Sequence, residues 1–324
     1  MRPLVFAFIL SSALSSAQLA SKELQLDLHN LTAGFKGRVG VCVQADTKPV
    51  CVNGDQRYSI QSVVKMLVSM AVLDAVDHKG WKLDTRIRIF NKDRSLSAQP
   101  IADKIGPNGY ETTIDELIRF TTNESDSLAC DLLIERLGGT AVVQDFLKRK
   151  GIEGIRIDRN ERDLQTEVVG LKWRPEFTDS KVLDDATKAV PEARRDQAYR
   201  NYVKDPRDTA TPVGMVQLLQ KLVQGKLLSQ ASTKYYLSVM EQTATGTDRL
   251  KAGLKPGWVL GHKTGTSSTW KGLAAATNDV GFFRSPTGKL ITIAVFVGDS
   301  TETPERRAAI IADIARTTLR LYHQ

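Results

Sequence analysis

A serine and a lysine stand three positions apart in Ser62-Val63-Val64-Lys65, at the start of an apolar run. On a helix this spacing places both side chains on the same face, one turn apart. A serine hydroxyl becomes an effective nucleophile when a neighbouring base accepts its proton, and a desolvated lysine can be that base. The pattern therefore suggests nucleophilic catalysis by Ser62 with the help of Lys65.

The same spacing occurs a second time, in Ser268-Thr269-Trp270-Lys271. About one such match is expected by chance in a chain of this length. The second copy lies among predicted strands and turns, where positions three apart point to opposite faces. We therefore assign the chemistry to the first copy and treat the second as a chance occurrence.

Ser125 and Ser127 flank Asp126 immediately before a run of residues typical of a helix. Taken alone, this tripeptide is an N-terminal cap, because serine and aspartate side chains accept hydrogen bonds from the unpaired amides of the first turn. The alternative is that Ser125 passes a proton to a leaving nitrogen. The tripeptide by itself leaves both interpretations open.

The tetrapeptide Lys263-Thr264-Gly265-Thr266 lies on a predicted strand. A lysine and two hydroxyls on a strand edge, with a glycine that permits close approach, would suit an anionic substrate bound in extended form. The alternative is a polar edge strand whose lysine discourages aggregation.

Hydrophobic periodicity and turn residues predict the elements that must position these groups. Helices are predicted at 23–34, 62–80, 114–122, 126–138, 140–150 and 303–322. Strands are predicted at 37–45, 48–54, 258–266, 272–283 and 289–299. Because strands lie at both ends and the middle reads as helical, we expect a sheet built from both termini. The charged segment 166–204 contains two short predicted helices, near 181–189 and 191–203.

Residues 1–17 have the pattern of a secretory signal peptide: Met-Arg-Pro, the apolar run LVFAFIL, and small residues with a cleavage site after Ala17. The apolar run is shorter than the roughly 20 residues that a membrane-spanning helix needs. There is no cysteine near the cleavage site, so a lipid anchor is not indicated. We therefore expect an exported protein, periplasmic or secreted, without a membrane span.

The composition is that of a soluble globular protein, with 324 residues, 41% hydrophobic and 25% charged. The formal charge is +8, yet the basic residues are dispersed and no nucleic-acid-binding module is present. The four histidines, His29, His78, His262 and His323, lack metal-ligand spacing. We expect no metal, no cofactor and no nucleic-acid partner.

Three cysteines, Cys42, Cys51 and Cys130, occur in a chain bound for a compartment that permits disulfides. A hairpin centred on Asp46 and Thr47 would place Cys42 opposite Cys51. Either a cross-strand disulfide or two half-buried free thiols would fit, because geometry decides whether such a pair bonds.

In this order and context, the motifs strongly resemble the signature of class A serine β-lactamases. The similarity covers nearly all of the chain after the leader and is carried by five segments and a sixth late stretch: 58–65, 125–133, 159–165, 205–209, 262–266 and 276–281. The last stretch, together with Gln61 before the nucleophile, is most similar to the extended-spectrum branch of the family.

The resemblance implies an α/β, two-domain fold of the serine β-lactamase and transpeptidase type. An antiparallel sheet flanked by helices would comprise 18–61 and 213–324, and an all-helical domain would comprise 62–212. The helical domain would include an enlarged omega loop at 159–208, closed by an ion pair between Arg159 and Asp208.

The resemblance also implies an acylation mechanism that hydrolyses penicillins and cephalosporins and so confers antibiotic resistance. Ser62 attacks the lactam carbonyl, and either Lys65 or Glu161 acting through water is the base. The backbone N–H groups of Ser62 and Thr266 form the oxyanion hole. Ser125 protonates the departing nitrogen.

Substrate binding and release of the acyl group are implied as well. Lys263, Thr264 and Thr266 hold the substrate carboxylate, with Gly265 between them. Glu161 directs the hydrolytic water, and Gln165 helps to position it. The substrate is a small molecule, and we expect a monomer.

The chain departs from the family in two substitutions and one insertion. Ser127 stands where the family usually has asparagine, which affects substrate preference. Gln165 replaces another asparagine but keeps the amide one methylene further out. Roughly thirty extra residues between Glu161 and Asp208 are long enough to fold on their own, and we expect a helical flap beside the active site.

Two other functions use the same scaffold. One is a D-alanyl-D-alanine carboxypeptidase or transpeptidase, whose acyl-enzyme is long-lived. The other is a slow-turnover β-lactam-binding homologue. Glu161 in its Arg-x-Glu-x-x-Leu context favours turnover, because a positioned glutamate can activate the water that releases the acyl group.

Overall fold

A five-stranded antiparallel sheet joins strands from both ends of the chain. The computed structural model describes residues 16–45 and 48–322. The strands are β1 (Arg38–Gln44), β2 (Val50–Val52), β3 (Tyr58–Ser59), β4 (Arg86–Ile89), β5 (Tyr110–Thr113), β6 (Ile155–Arg156), β7 (Thr209–Ala210), β8 (Val259–Thr266), β9 (Thr269–Trp270), β10 (Leu273–Ala274), β11 (Thr277–Arg284) and β12 (Leu290–Gly298). The sheet has the order β2-β1-β12-β11-β8, so β8 lies at one edge.

Helices cover both faces of this sheet and fill the middle of the chain. They are α1 (Ser16–Thr32), α2 (Val64–His78), α3 (Ile114–Asn123), α4 (Ser127–Leu137), α5 (Thr140–Arg149), α6 (Glu161–Val168), α7 (Ser180–Ala189), α8 (Glu192–Val203), α9 (Pro212–Val223), α10 (Gln230–Met240) and α11 (Pro304–Leu321). The α/β fold class predicted from the sequence is confirmed. The predicted boundaries at 61/62 and 212/213 stay a prediction.

Successive residues of the central strands point into two different hydrophobic cores, as the two-residue period of a strand requires. On β1, Val41 and Val43 pack in one core with α1 and α11, whereas Cys42 packs in the other. On β12, Val295 and Phe296 divide in the same way. The larger core surrounds α2, whose residues 64–75 are all buried. The functional motifs therefore lie where the sheet meets this helical core.

The middle of the chain is not wholly helical, which corrects the prediction. β4 and β5 form a two-stranded ribbon, and β3, β7 and β6 form a small three-stranded sheet. Each of these strands has two to four residues. Segments this short show no measurable alternation, because a period needs several repeats to be recognised. The predicted strand 272–283 is also divided, into β10 and β11.

The hairpin at the outer edge of the sheet carries the two paired cysteines. Cys42 and Cys51 are directly opposite in the antiparallel register of β1 and β2, with 4.1 Å between their Cα atoms. They form a disulfide, and Cys130 is a buried free thiol on α4. Asp46 and Thr47, the predicted centre of the turn, lie outside the described residues.

The predicted leader, residues 1–17, falls outside the described residues except for the last two, which begin α1. Over 16–45 and 48–322, the structure contains no helix that is both long and apolar enough to cross a bilayer.

Candidate active site

Ser62 lies in a single 3₁₀ turn, Gln61–Val63, that leads directly into α2. Gln61 has a positive φ of 46°, so the backbone turns sharply just before the serine. Asn278 on β11 donates from Nδ2 to the carbonyl oxygens of Ser59 and Ile60, at 2.8 and 3.2 Å. The turn that carries Ser62 is therefore attached to the central sheet as well as to α2.

Lys65 lies one turn further on and is 1% exposed. Its Nζ donates to Ser62 Oγ at 3.0 Å, to the carbonyl oxygen of Ser125 at 2.8 Å and to Ser127 Oγ at 3.1 Å. A carboxylate oxygen of Glu161 lies 3.5 Å from the same nitrogen. The amine thus touches the proposed nucleophile and all three neighbouring polar groups.

The cap of α4 is Asp126, which leaves the two flanking serines for other contacts. Asp126 accepts hydrogen bonds from the backbone N–H of Ala129 at 2.8 Å and of Ile101 at 2.7 Å. Ser125 has a φ of 58°, and its Oγ accepts a hydrogen bond from Lys263 Nζ at 2.9 Å. Asp126 is thus the helix cap, and the role of Ser125 as a proton donor stays a prediction.

Ser127 connects the lysine to the glutamate. Its hydroxyl accepts from Lys65 and donates to Glu161 Oε2 at 3.2 Å. A single hydroxyl can do both because it has one proton and two lone pairs.

Glu161 is the first residue of α6 and is 2% exposed. Its backbone N–H donates to Asp131 Oδ1 at 2.8 Å, and Ser95 Oγ donates to Asp131 Oδ2 at 2.6 Å. Burial, and secondarily the charge of Glu161, raise the pKa of Asp131 to about 7. Sequence reasoning missed Asp131 and Ser95, whose roles depend on contacts between distant segments.

The edge strand β8 presents the third motif. Lys263 is fully buried, and its Nζ bonds Ser125 Oγ and the carbonyl oxygen of Thr264. Burial, and next the charge of Lys65, lower the pKa of Lys263 to about 7. A Cβ atom on Gly265 would overlap the carbonyl oxygen of Ile60, so glycine is what lets β8 approach the turn before the nucleophile.

Arg249 is a third residue that sequence reasoning missed. Its guanidinium donates to Thr266 Oγ1 at 2.7 Å and to the carbonyl oxygen of Asn278 at 2.9 Å. Thr264 Oγ1 shares a 2.7 Å hydrogen bond with Thr245 Oγ1. The arginine thus adds a second cation beside the threonines of β8. No spacing in the sequence marks it, since it precedes β8 in a separate loop.

The predicted site residues meet at a single cleft of about 370 Å³. Among the predicted residues, its wall includes Ser62, Lys65, Ser125, Ser127, Glu161, Gln165, Thr264 and Thr266. Lys263 and Gly265 lie behind this wall rather than on it. Over the described part of the chain, no group of three or more His, Cys, Asp or Glu residues is arranged to hold a metal ion.

The loop that carries Glu161 is closed by the predicted pair of Arg159 and Asp208. The guanidinium Nε lies 2.6 Å from Asp208 Oδ2, and Nη1 lies 2.7 Å from Glu167 and 3.2 Å from Asp205. Asp208 also accepts from the backbone N–H groups of Asp158 and Arg159 through its other oxygen. The predicted pair is thus part of a network of four residues, which holds the two ends of the loop together.

The inserted segment folds into α7 and α8, near the predicted 181–189 and 191–203. Lys271, from the second Ser-x-x-Lys match, pairs with Asp196 at 2.8 Å and with Glu192 at 2.5 Å, both on α8. Its amine is thus engaged by the flap, and Ser268 contributes its carbonyl oxygen to Tyr199.

Comparison with known proteins agrees with this geometry. The β-lactamase enzyme family model matches residues 23–322. β-Lactamase VEB-1 of Pseudomonas aeruginosa is 33% identical over 315 residues, which is 95% of this chain and 92% of the relative. The extended-spectrum β-lactamase PER-1 of the same organism is 31% identical over 311 residues, 95% of this chain and 89% of the relative.

Among solved structures, a β-lactamase from Chitinophaga pinensis is 30% identical, with a TM-score of 0.76, over 92% of this chain and 99% of the other. The family match, the sequence identity to these relatives and the shared fold agree with one another. The chain belongs to the β-lactamase enzyme family and is a class A serine β-lactamase.

Proposed function

We propose that this β-lactamase opens the β-lactam ring through an acyl-enzyme formed on Ser62. The observation that carries the proposal is the position of Lys65, whose buried Nζ donates to Ser62 Oγ at 3.0 Å and lies 3.5 Å from Glu161. A nucleophile, an amine base and one carboxylate are thus connected within one cleft, as an acylation and deacylation cycle requires.

Acylation begins when Ser62 Oγ attacks the lactam carbonyl and loses its proton. The proton goes to neutral Lys65 directly, or to Glu161 through a water molecule. The negative charge that develops on the carbonyl oxygen is stabilised by the backbone N–H groups of Ser62 and Thr266, at the two sides of the cleft.

The C–N bond then breaks and the nitrogen takes a proton from Ser125. Lys65 donates to the carbonyl oxygen of this residue, and Lys263 donates to its Oγ. A cation that donates to a hydroxyl favours loss of the hydroxyl proton, because it stabilises the alkoxide. Lys263 therefore supports proton transfer from Ser125, and Lys65 holds the backbone of this residue in place.

The substrate carboxylate binds along β8. Lys263 supplies charge from behind the cleft wall, and the hydroxyls of Thr264 and Thr266 supply hydrogen bonds from its surface. Arg249, which already donates to Thr266 Oγ1, adds a second positive charge on the same side. The pair explains how a largely buried lysine can serve an anion in a partly open cleft.

Deacylation is the step that Glu161 serves. The carboxylate is held by Lys65 and Ser127, and its backbone is fixed by Asp131. A water beside it can lose a proton to the carboxylate and attack the ester carbon. Gln165, one turn along α6, lines the same cleft and positions this water.

The substrate range belongs to the proposal too. PER-1 is named an extended-spectrum β-lactamase, and we infer a comparable range of penicillins and cephalosporins for this chain, with antibiotic resistance as the biological result. Ser127 is shorter than the usual asparagine and is already engaged by Lys65 and Glu161. It therefore offers little to the substrate side chain, and this favours substrates held mainly through their carboxylate.

The protein is further proposed to act outside the cytoplasm as a monomer after cleavage following Ala17. The leader pattern of residues 1–17 supports export. The mass of the mature protein recovered from the periplasm tests the cleavage site: a chain that begins at Gln18 is expected, and the retained leader would contradict it.

The test of the mechanism compares wild type with Glu161→Ala. We expect wild type to hydrolyse a chromogenic cephalosporin with no adduct in the mass spectrum, and Glu161→Ala to accumulate protein carrying one acyl group. Ser62→Ala should form no adduct, whereas Ser268→Ala, the second Ser-x-x-Lys serine, should behave as wild type. A lasting adduct on wild type as well would instead indicate a peptidoglycan-type enzyme or a slow binder.

A further inference from the structure

The second helix of the flap reaches the residue before the nucleophile. On α8, Tyr199 and Tyr202 are 3% and 5% exposed, whereas α7 has no buried residue. The two tyrosines are three positions apart, so they share one face of the helix. Their rings meet edge to face, with 5.9 Å between centroids. This face is what attaches the flap to the enzyme.

The two hydroxyls have different partners. Tyr199 donates to the carbonyl oxygens of Ser268 and Leu273, on the ribbon that follows β8. Tyr202 shares a 2.8 Å hydrogen bond with Ser59 Oγ and accepts one from Gln61 Nε2. Tyr199 therefore anchors the flap to backbone, whereas Tyr202 contacts side chains next to Ser62.

Gln61 connects Tyr202 to Gln165 on α6. Its Oε1 accepts a hydrogen bond from Gln165 Nε2 at 3.1 Å. Gln61 is 2% exposed, so little of its side chain is open to solvent. Three side chains from segments far apart in sequence, Tyr202, Gln61 and Gln165, thus form one continuous chain of hydrogen bonds.

This chain has a direction, because a side-chain amide has a donor end and an acceptor end. Gln61 gives its NH₂ to Tyr202, so its carbonyl oxygen faces Gln165. Gln165 in turn gives its NH₂ to Gln61, so its own Oε1 is the end left for the cleft that it lines. A water beside Glu161 can then donate one hydrogen bond to the carboxylate and one to Oε1 of Gln165. The two bonds together fix the direction of the water's lone pair.

We propose that Tyr202 is a positioning residue for deacylation, which fixes the amide of Gln165 through Gln61 so that Oε1 faces the hydrolytic water. The inference rests on the proposed roles of Glu161 and Gln165. It assigns the inserted flap a part in the second half of the reaction. The inference takes Lys65, 3.0 Å from Ser62 Oγ, as the acylation base, so acylation does not involve this amide and is unaffected.

The phenol stays protonated while it does this. Burial raises the pKa of Tyr202 to about 12. At neutral pH the hydroxyl therefore keeps its proton for Ser59 and its lone pairs for Gln61.

Tyr202→Phe tests the proposal, since it removes only the hydroxyl. We expect kcat to fall roughly tenfold and KM to fall with it, because a slower second step lowers both, while kcat/KM stays within about twofold of wild type. The acyl-enzyme, absent from wild type, should appear in the mass spectrum during turnover. An unchanged kcat, or an equal loss in kcat/KM, would overturn the proposal.

Tyr199→Phe is the matched control on the same face of α8. It weakens attachment of the flap but leaves the chain from Tyr202 to Gln165 in place. Its melting temperature is expected to fall, with kcat and kcat/KM within about twofold of wild type. If both variants slow deacylation equally, Tyr202 acts only as an anchor and the proposal is wrong.

A double variant distinguishes action through Gln165 from a separate structural effect. If Tyr202 acts through that amide, adding Tyr202→Phe to Gln165→Leu should slow deacylation no further, because both changes remove the same interaction. Multiplied effects would contradict the proposal. The outcome is separable from the mechanism itself: Glu161→Ala can accumulate the acyl-enzyme whether or not Tyr202→Phe does.

Discussion

Lys65 and Lys263 are both almost fully buried, and each donates to a serine of the cleft. Their surroundings differ. Lys65 has Glu161 within 3.5 Å, whereas Lys263 has Ser125 and a carbonyl oxygen as its hydrogen-bond partners. The two amines are therefore suited to different tasks, one near the nucleophile and one towards the substrate carboxylate.

Lys263 should impose a limit on activity at high pH. Burial, Lys65 and Arg249 lower its pKa, Glu161 and Asp279 oppose them, and the result is a value of about 7. The amine is charged below this pH and neutral above it, so binding of a substrate carboxylate weakens as pH rises through 7. We expect kcat/KM for a penicillin to fall above this pH, approaching about tenfold per unit.

Lys263→Arg is the variant that tests the assignment, because a guanidinium stays charged throughout this range. Its kcat/KM profile should lose the decline that begins near pH 7, even if its maximum is lower. A penicillin whose carboxylate is esterified should show a smaller decline with wild type, because only the effect of Lys263 on Ser125 then remains. A decline of the same shape in Lys263→Arg would assign the titration to another group.

Some of the residues in the cleft could be predicted from the sequence, and others could not. Ser62 with Lys65 could be distinguished from Ser268 with Lys271, because only the first pair begins a buried helix. Asp131 and Arg249 could not be found in the same way. Their contacts, to the backbone of Glu161 and to Thr266, join segments whose proximity depends on the tertiary fold.

At the scale of elements, the two flap helices differ in how they are held. α7 has no buried residue, and the ion pair of Lys181 and Asp185, at 3.7 Å, lies on its surface. α8 is attached through its tyrosines and through Asp196, which accepts from Trp270 and pairs with Lys271. The second helix is therefore the one that we propose to act in catalysis.

Deletion of residues 170–200 should slow deacylation, because it removes Tyr199, Asp196 and most of the helix that carries Tyr202. We expect a lower kcat and an acyl adduct during turnover. Replacing Lys181 and Asp185 together by alanine is the control, and it should leave both rates unchanged, since exposed pairs contribute little. Rates and substrate range unchanged in the deletion would show that the flap has no part in catalysis.

The existence of α7 and α8 was predictable, but their contacts were not. Val190-Pro191 separates them in sequence, and helical composition marks each one. The hydrogen bond from Gln61 to Tyr202 spans 141 positions and has no local pattern. The short strands β3 to β7 were missed for the opposite reason, since each is too brief to show its own period.

For the whole molecule, the cleft lies where the sheet meets the helical core. Ser62, Lys65 and Glu161 are carried by helices and turns on one side, and Lys263 and Thr266 by β8 on the other. The sides meet closely at Gly265, whose missing side chain admits the Ile60 carbonyl oxygen, and at Asn278. The sequence predicted a sheet built from both termini, but not this contact, which depends on packing of one half on the other.

Because neither side holds a complete site, acylation should be lost as soon as either core unfolds. Trp81 packs against the core around α2, and Trp258 against the core between the sheet, α1 and α11. In variants that keep one of these tryptophans and replace the others by phenylalanine, fluorescence reports each core separately.

In guanidinium titrations, covalent labelling of Ser62 by a fluorescent penicillin is expected to disappear with the reporter of lower midpoint, or with both if they coincide. Labelling avoids any contribution of the flap, which acts after acylation. It is best measured in Glu161→Ala, where the label is retained. Labelling that persists beyond the first midpoint would mean that one core alone can hold the reacting groups, against the division of the cleft between sheet and helices.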